Sequence, residues 1–294
     1  MKQIKVLHLD AFTRTKNRGN SAGVVIVKDK DNFTEAQMQL IAKKVGFNET
    51  VFIETSHEAD YRFRYFTPGH EMNLCGHATI AGVYALYLED LLQQKTEVAI
   101  ATNIGAIEVQ IMSQDKDCIL TMEQDTPKFV EFEGNLDRLA DVLSIEPKKI
   151  IADEIIYGST GTWTLLVPVK SDSDLTAMIP KTQNFPEVLT QMPKASIHPY
   201  TLESFAERNL VIARHFSSPY SGTIEDPVTG TASGVIAAYL LEKFQKKHIT
   251  IKILQGKEME REGTLQAYAW KEDEKVKVKI EGVCVFNQEL SIDL

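Results

Sequence analysis

Residues 74–92 read LCGHATIAGVYALYLEDLL. Beyond the Cys75-Gly76-His77 step the side chains are apolar on nearly every face, and a helix of that kind is a buried one. The run predicts a central helix to about Leu92 with a sheet curved around it. It falls far short of the roughly 20 apolar residues that span a bilayer. Upstream, Tyr61–Phe66 alternates aromatic residues with arginine, the pattern of a half-buried strand, and a turn follows at Pro68-Gly69. Val24–Val27 and Val51–Ile53 are short β-branched runs. Between them, Thr34 and Gly46 bracket Met38, Ile41, Ala42 and Val45 at helical spacing, which gives a cap, an apolar stripe and a stop.

The second half repeats this plan. Gly230-Thr231-Ala232 opens another apolar helix over Ser233–Phe244, with Thr231 at 231 − 77 = 154 residues after His77. Asn209–Phe216 answers Tyr61–Phe66, Pro219 answers Pro68, and Gly263-Thr264-Leu265 answers Gly105-Ala106-Ile107 at 263 − 105 = 158. Nearly constant offsets point to an internal duplication. The crossing between halves falls between Met122 and Pro127, so the expected domains are 1–122 and 123–283. A length of 294 residues suits two cores, and a cleft between them is the natural place for a ligand.

Composition narrows the function classes. With 43% hydrophobic and 25% charged residues the chain is an ordinary globular one, and 32 Lys+Arg against 41 Asp+Glu leave a net charge of −9. That balance repels phosphate backbones and anionic headgroups, which argues against nucleic-acid or membrane partners. His8 and Asp10 interrupt the first apolar stretch and spoil a secretory signal, so a soluble, cytoplasmic protein is expected. The three cysteines Cys75, Cys118 and Cys284 are expected as free thiols.

Several residues could carry chemistry. Both apolar helices open at a Gly-x-Ala step, Gly76-His77-Ala78 and Gly230-Thr231-Ala232, where free N–H groups favour an anion such as a carboxylate. A tight strand-to-helix turn also explains one such glycine. Glu49 lies where the helix ending at Gly46 gives way to a strand, a position from which a desolvated carboxyl can exchange protons with carbon. Taken alone it is an ordinary surface glutamate. His77 can donate to a substrate oxygen or simply close the turn. Asp226 can cap the second helix or hold a polar ligand group. Cys75, beside the first helix start, can act as a thiol base, although positions 226–231 offer no second thiol. Gly19-Asn20-Ser21-Ala22-Gly23 matches the hydrolase nucleophile elbow literally, but a charged loop precedes it and a strand follows, the reverse of what an elbow needs. No metal site is expected, because Cys75 and His77 lack a second Cys/His pair, and no cofactor motif is present.

Four segments together resemble the phenazine-biosynthesis-protein-F-like family: Asp10-Ala11-Phe12 with Gly19 to Val24; Asn48 to Phe52; Phe66-Thr67-Pro68 with Leu74 to Thr79; and Glu225 to Gly230. The resemblance implies an α+β, diaminopimelate-epimerase-like fold, two pseudo-symmetric domains that are each a rolled, mostly antiparallel sheet around a central helix. A C-terminal strand near 284–294 would return to the first domain, and a homodimer is usual. It also implies a cofactor-independent isomerase or epimerase acting on a small carboxylate. In the phenazine enzyme a glutamate shuttles the proton while a histidine, an aspartate and a serine help hold the substrate. Glu49, His77 and Asp226 match the first three, and Thr231 stands at the serine position. Asn20, Cys75, Gly76, Ala78, Gly230, Thr231 and Ala232 are the expected substrate-binding residues. Two rivals remain open: a thiol-based racemase working through Cys75, and a non-catalytic binder of small carboxylates.

Overall fold

The computed structural model describes residues 3–28, 33–114 and 117–294. The chain divides into two compact units, one running to Glu123 and joined by Glu281–Leu294, the other Gln124–Ile280.

The N-terminal unit is built from β1 (Gln3–Ala11), β2 (Asn20–Ile26), α1 (Glu35–Val45), β3 (Glu49–Thr55), β4 (Tyr61–Phe66), β5 (Glu71–Met72), α2 (Gly76–Leu88), β6 (Glu97–Thr102), β7 (Gly105–Gln114) and β8 (Asp117–Glu123). Local chemistry accounts for α1: Thr34 and Gln37 form a reciprocal capping box, and Gly46 ends the helix at φ 75°, a backbone that glycine adopts without penalty. The C-terminal strand Cys284–Asp293 pairs antiparallel with β1, and β1 pairs antiparallel with β2. From β2 the ladder continues parallel to β3, antiparallel to β4, parallel to β6, then antiparallel through β7 to β8. Helix α2 packs on β1, β2, β3, β8 and the C-terminal strand, so its sides are buried, as its composition requires. The other face of the sheet carries α1 over Ile4, Val6, Val25, Phe52 and Phe66.

The C-terminal unit contains β9 (Lys128–Glu131), α3 (Leu136–Leu143), β10 (Ile156–Ser159), β11 (Trp163–Val169), α4 (Asp172–Thr176), α5 (Phe185–Val188), β12 (Ser196–Thr201), α6 (Phe205–Arg208), β13 (Leu210–Ala213), α7 (Gly230–Lys243), β14 (His248–Gln255), β15 (Gly263–Glu272) and β16 (Lys275–Gly282); the C-terminal strand above is β17. Its ladder runs β9 to β10 to β11 antiparallel, β11 to β12 parallel, β12 to β13 antiparallel, β13 to β14 parallel and β14 to β15 antiparallel. That is the order of antiparallel and parallel steps found from β17 through β7. In each unit the apolar helix occupies the second parallel crossover, and α7 packs on β10, β14 and β15.

Element boundaries differ from the sequence expectation in both units. Helix α2 stops at Leu88 rather than about Leu92, because Asp90 turns left-handed at φ 56° and the Leu91 N–H bonds back to the Leu86 carbonyl at 2.9 Å. Helix α7 closes the same way, with Gln245 at φ 51° and Lys246 N–H on Leu241 at 3.0 Å. The strand expected over Asn209–Phe216 is regular only over Leu210–Ala213, while Phe216 makes an isolated antiparallel bridge to Ile197.

Candidate active site

The start of α2 gathers four side chains from three separate stretches of sequence. Asn20 opens β2, Glu49 opens β3, Cys75 is the N-cap of α2 and His77 its second residue. Parallel pairing sets Ala22 beside Glu49, so Asn20 and Glu49 project from one face of the sheet toward the helix start. His77 Nε2 lies 3.1 Å from Glu49 Oε2, His77 Nδ1 lies 3.1 Å from Asn20 Nδ2, and Cys75 Sγ lies 3.5 Å from the same Nδ1. Cys75 and His77 are buried, while Glu49 keeps 14% of its side chain open. The Glu49–His77 contact has ion-pair distance without an aligned N–H, and Glu49 Oε2, itself shielded from solvent, accepts no hydrogen bond from the described residues.

Electrostatics separate the thiol from the imidazole. Burial, followed by the Glu49 charge, pushes the Cys75 thiol above its ordinary range. Burial opposes a charge on His77 as well, but its electrostatic and hydrogen-bond interactions with Cys75 and Glu49 outweigh it and raise its pKa well above that of a free histidine. The helix end adds an anion-favouring field: no side-chain hydrogen bond from Cys75 caps α2, and Gly76 leaves room at the first turn.

The start of α7 is built alike but with hydroxyls. Its N-cap is Thr229, again without a side-chain cap, and Ser233 Oγ donates to the Thr229 carbonyl at 2.7 Å just as Thr79 Oγ1 donates to Cys75 at 2.8 Å. Asp226 is not the cap of this helix: its Oδ2 accepts from the Thr229 hydroxyl, and its N–H donates to the His215 carbonyl at 2.9 Å. Gly230 and Ala232 are buried at the helix start, and the Thr231 carbonyl accepts from Thr160 Oγ1 at 3.0 Å. Gln255, which sequence reading missed, ties this loop down. Its Nε2 donates to the Asp226 carbonyl at 2.7 Å and its Oε1 accepts from Thr229 N–H at 3.2 Å. The signal was available: in β14 the buried positions alternate Ile249, Ile251, Ile253, Gln255, and a polar residue in an apolar row has a partner to serve.

The elbow-like Gly19–Gly23 segment has another role. Ser21 faces away from α2 and donates to Asp10 Oδ1, and both groups share His8 Nε2, at 2.9 Å from the serine and 3.1 Å from the carboxylate. A relay needs the acid on the other ring nitrogen, so this is not a hydrolytic triad. Burial would raise Asp10, but hydrogen bonds from His8, Ser21, Asn17 N–H and Asn287 hold it at about 2. It is an anchor for the loop before β2.

Two rolled sheets with one pairing order, each wound on an apolar helix, define the diaminopimelate-epimerase-like class of α+β enzymes. A hydroxyproline epimerase structure from Agrobacterium vitis shares the fold at a TM-score of 0.62, 12% identity and coverage of 99% of this chain and 91% of that one. Residues 9–289 match the phenazine biosynthesis-like protein family, and the chain belongs to it. The Bacillus subtilis protein named uncharacterized isomerase YfhB is 44% identical over 289 residues, 98% of each chain, and the Escherichia coli isomerase YddE is 33% identical over 99% of each. The crystal structure of a PhzF-family phenazine biosynthesis protein from Bacillus anthracis matches over 100% of both chains with 43% identity and a TM-score of 0.94. The chain is an isomerase-type enzyme. Among the described residues no helix is long and apolar enough to cross a membrane.

Proposed function

We propose that this enzyme moves a proton between carbons of a small carboxylate without a cofactor, with Glu49 as the acid and base. The observation that carries the reading is the Glu49 carboxylate oxygen, screened from solvent, 3.1 Å from His77 Nε2 and without an aligned donor. Such an oxygen can take a proton from a carbon acid and return it elsewhere on the same substrate, so the reaction balances with nothing consumed. His77 holds a substrate oxygen and, being cationic over an extended pH range, offsets negative charge that develops as the C–H bond opens. The N–H groups at the start of α2 suit the substrate carboxylate. A homodimer goes with this reading.

The test is deuterium incorporation. Small cyclic and amino carboxylates are incubated in deuterated water with wild type and with Glu49→Gln, and followed by NMR. Label entering one compound with wild type alone is the expected result. Binding without exchange would sink the proton-transfer reading, and full exchange by Glu49→Gln would move the base to another residue. The thiol alternative is decided by Cys75→Ala, which should retain exchange, since burial holds Cys75 in its unreactive protonated form.

A further inference from the structure

The sequence offers no metal-binding spacing, but the fold adds a third donor. Glu49 Oε, Cys75 Sγ and a His77 ring nitrogen all lie within 4.8 Å of one another, with the cysteine and histidine buried. Through Nε2 the distances are 3.1 Å to Glu49 Oε2 and 3.9 Å to Cys75 Sγ. With metal–ligand lengths of about 2.0 Å to nitrogen and oxygen and about 2.3 Å to sulfur, an ion on Nε2 would meet Glu49 Oε2 at an angle of roughly 100° and Cys75 Sγ at roughly 130°, either side of tetrahedral. The other ring nitrogen, Nδ1, is 3.1 Å from the Asn20 amide. That matches the rule that a ligating histidine has its second nitrogen held; the amide would present its oxygen to Nδ1–H.

We propose that Glu49, Cys75 and His77 form a binding site for one thiophilic divalent cation of the Zn2+ class, and that the ion silences the enzyme by occupying its proton-transferring groups. On binding, the Cys75 thiol and the His77 imidazolium each give a proton to solvent, so that the sulfur binds as thiolate and the ring as neutral imidazole, and Glu49 binds as carboxylate. No redox change is involved. The carboxylate and imidazole lone pairs then point at the metal and are closed to a substrate proton. Binding follows from the three donors alone, whereas the inhibitory consequence rests on the role proposed for Glu49.

The experiment is a titration of the intact, metal-stripped protein with Cd2+, read by the ultraviolet thiolate-to-metal absorption, followed by competition with Zn2+. One equivalent should saturate the band in wild type, and Zn2+ should remove it. In Cys75→Ala the band should vanish although the buried Cys118 and Cys284 remain, and in Glu49→Gln affinity should fall at least about tenfold. Circular dichroism matching wild type shows that each variant is folded. Asn20→Ala, which leaves all three donors in place, provides a second probe and should weaken binding without removing the band. A band surviving in Cys75→Ala, no band in wild type, or unchanged affinity in Glu49→Gln would each overturn the site. No substrate enters this titration, so its failure is separate from failure of deuterium exchange. Zn2+ that binds but leaves exchange intact would overturn the inhibitory part.

Discussion

The two units share one ladder, yet the starts of their central helices are chemically unlike. At α2 stand Cys75, His77 and, from the neighbouring strand, Glu49; at the matching places in the C-terminal unit stand Thr229, Thr231 and Ser196. Both ends keep the same backbone device, a hydroxyl one turn into the helix bonded to the N-cap carbonyl. What differs at these matching positions is titration: Cys75, His77 and Glu49 can hold, take and give protons, while the hydroxyls of Thr229, Thr231 and Ser196 can only donate and accept hydrogen bonds at neutral pH. One pairing order thus carries two chemically different helix starts.

The largest expected effect falls on the titratable end. Glu49→Gln should cut substrate proton exchange by about 10²- to 10⁴-fold, the usual worth of a positioned acid or base, while Ser196→Ala at the matching strand start should stay within about tenfold. Comparable losses in both variants would erase the asymmetry. Next comes Gln255→Leu in the hydroxyl end, which strands the Asp226 carbonyl and the Thr229 N–H. Urea unfolding should show about 2–4 kcal/mol less stability, and an unchanged midpoint would mean the loop does not need its clamp. Smaller again is Gly82→Ala within α2. The helix gains propensity, but the new methyl would meet the Phe63 ring at 2.5 Å, so a net loss of about 1–2 kcal/mol is expected in thermal unfolding. A gain would show that the ring has room to move.

The smallest effect is confined to one ring. NMR titration of His77 should give a midpoint well above about 6.5, returning toward it in Glu49→Gln. Because the folded value is raised, the stability this pair contributes is complete below the unfolded value and is lost as pH climbs through the folded one. An ordinary His77 midpoint in wild type would remove the charge assigned to it.

Segments governed by neighbours in sequence were legible from the start. The Thr34 cap, the Gly46 stop and the apolar stripe between them decide α1 within a dozen residues, and the all-round apolar character of α2 and α7 marks both as central. Less legible were the ends of strands. β2 begins at Asn20 and β3 at Glu49, four and two residues before their β-branched runs, because polar residues there are paired across the sheet rather than solvated. The helix ends were also overshot, since Leu91 and Leu92 continue the apolar pattern while the backbone at Asp90 has already turned back.

By itself the sequence determined the two central helices, the repeat that relates them and the residue types available at each helix start, because capping, periodicity and offset are local or self-referring. Only the tertiary structure decided that Asn20, Glu49, Cys75 and His77 meet, that Ser21 serves Asp10 as an anchor rather than a nucleophile, and that Gln255 secures Asp226. Those outcomes depend on strand register and on which face each side chain takes, and pairing between distant strands, unlike a helix cap, is set by packing across the whole sheet.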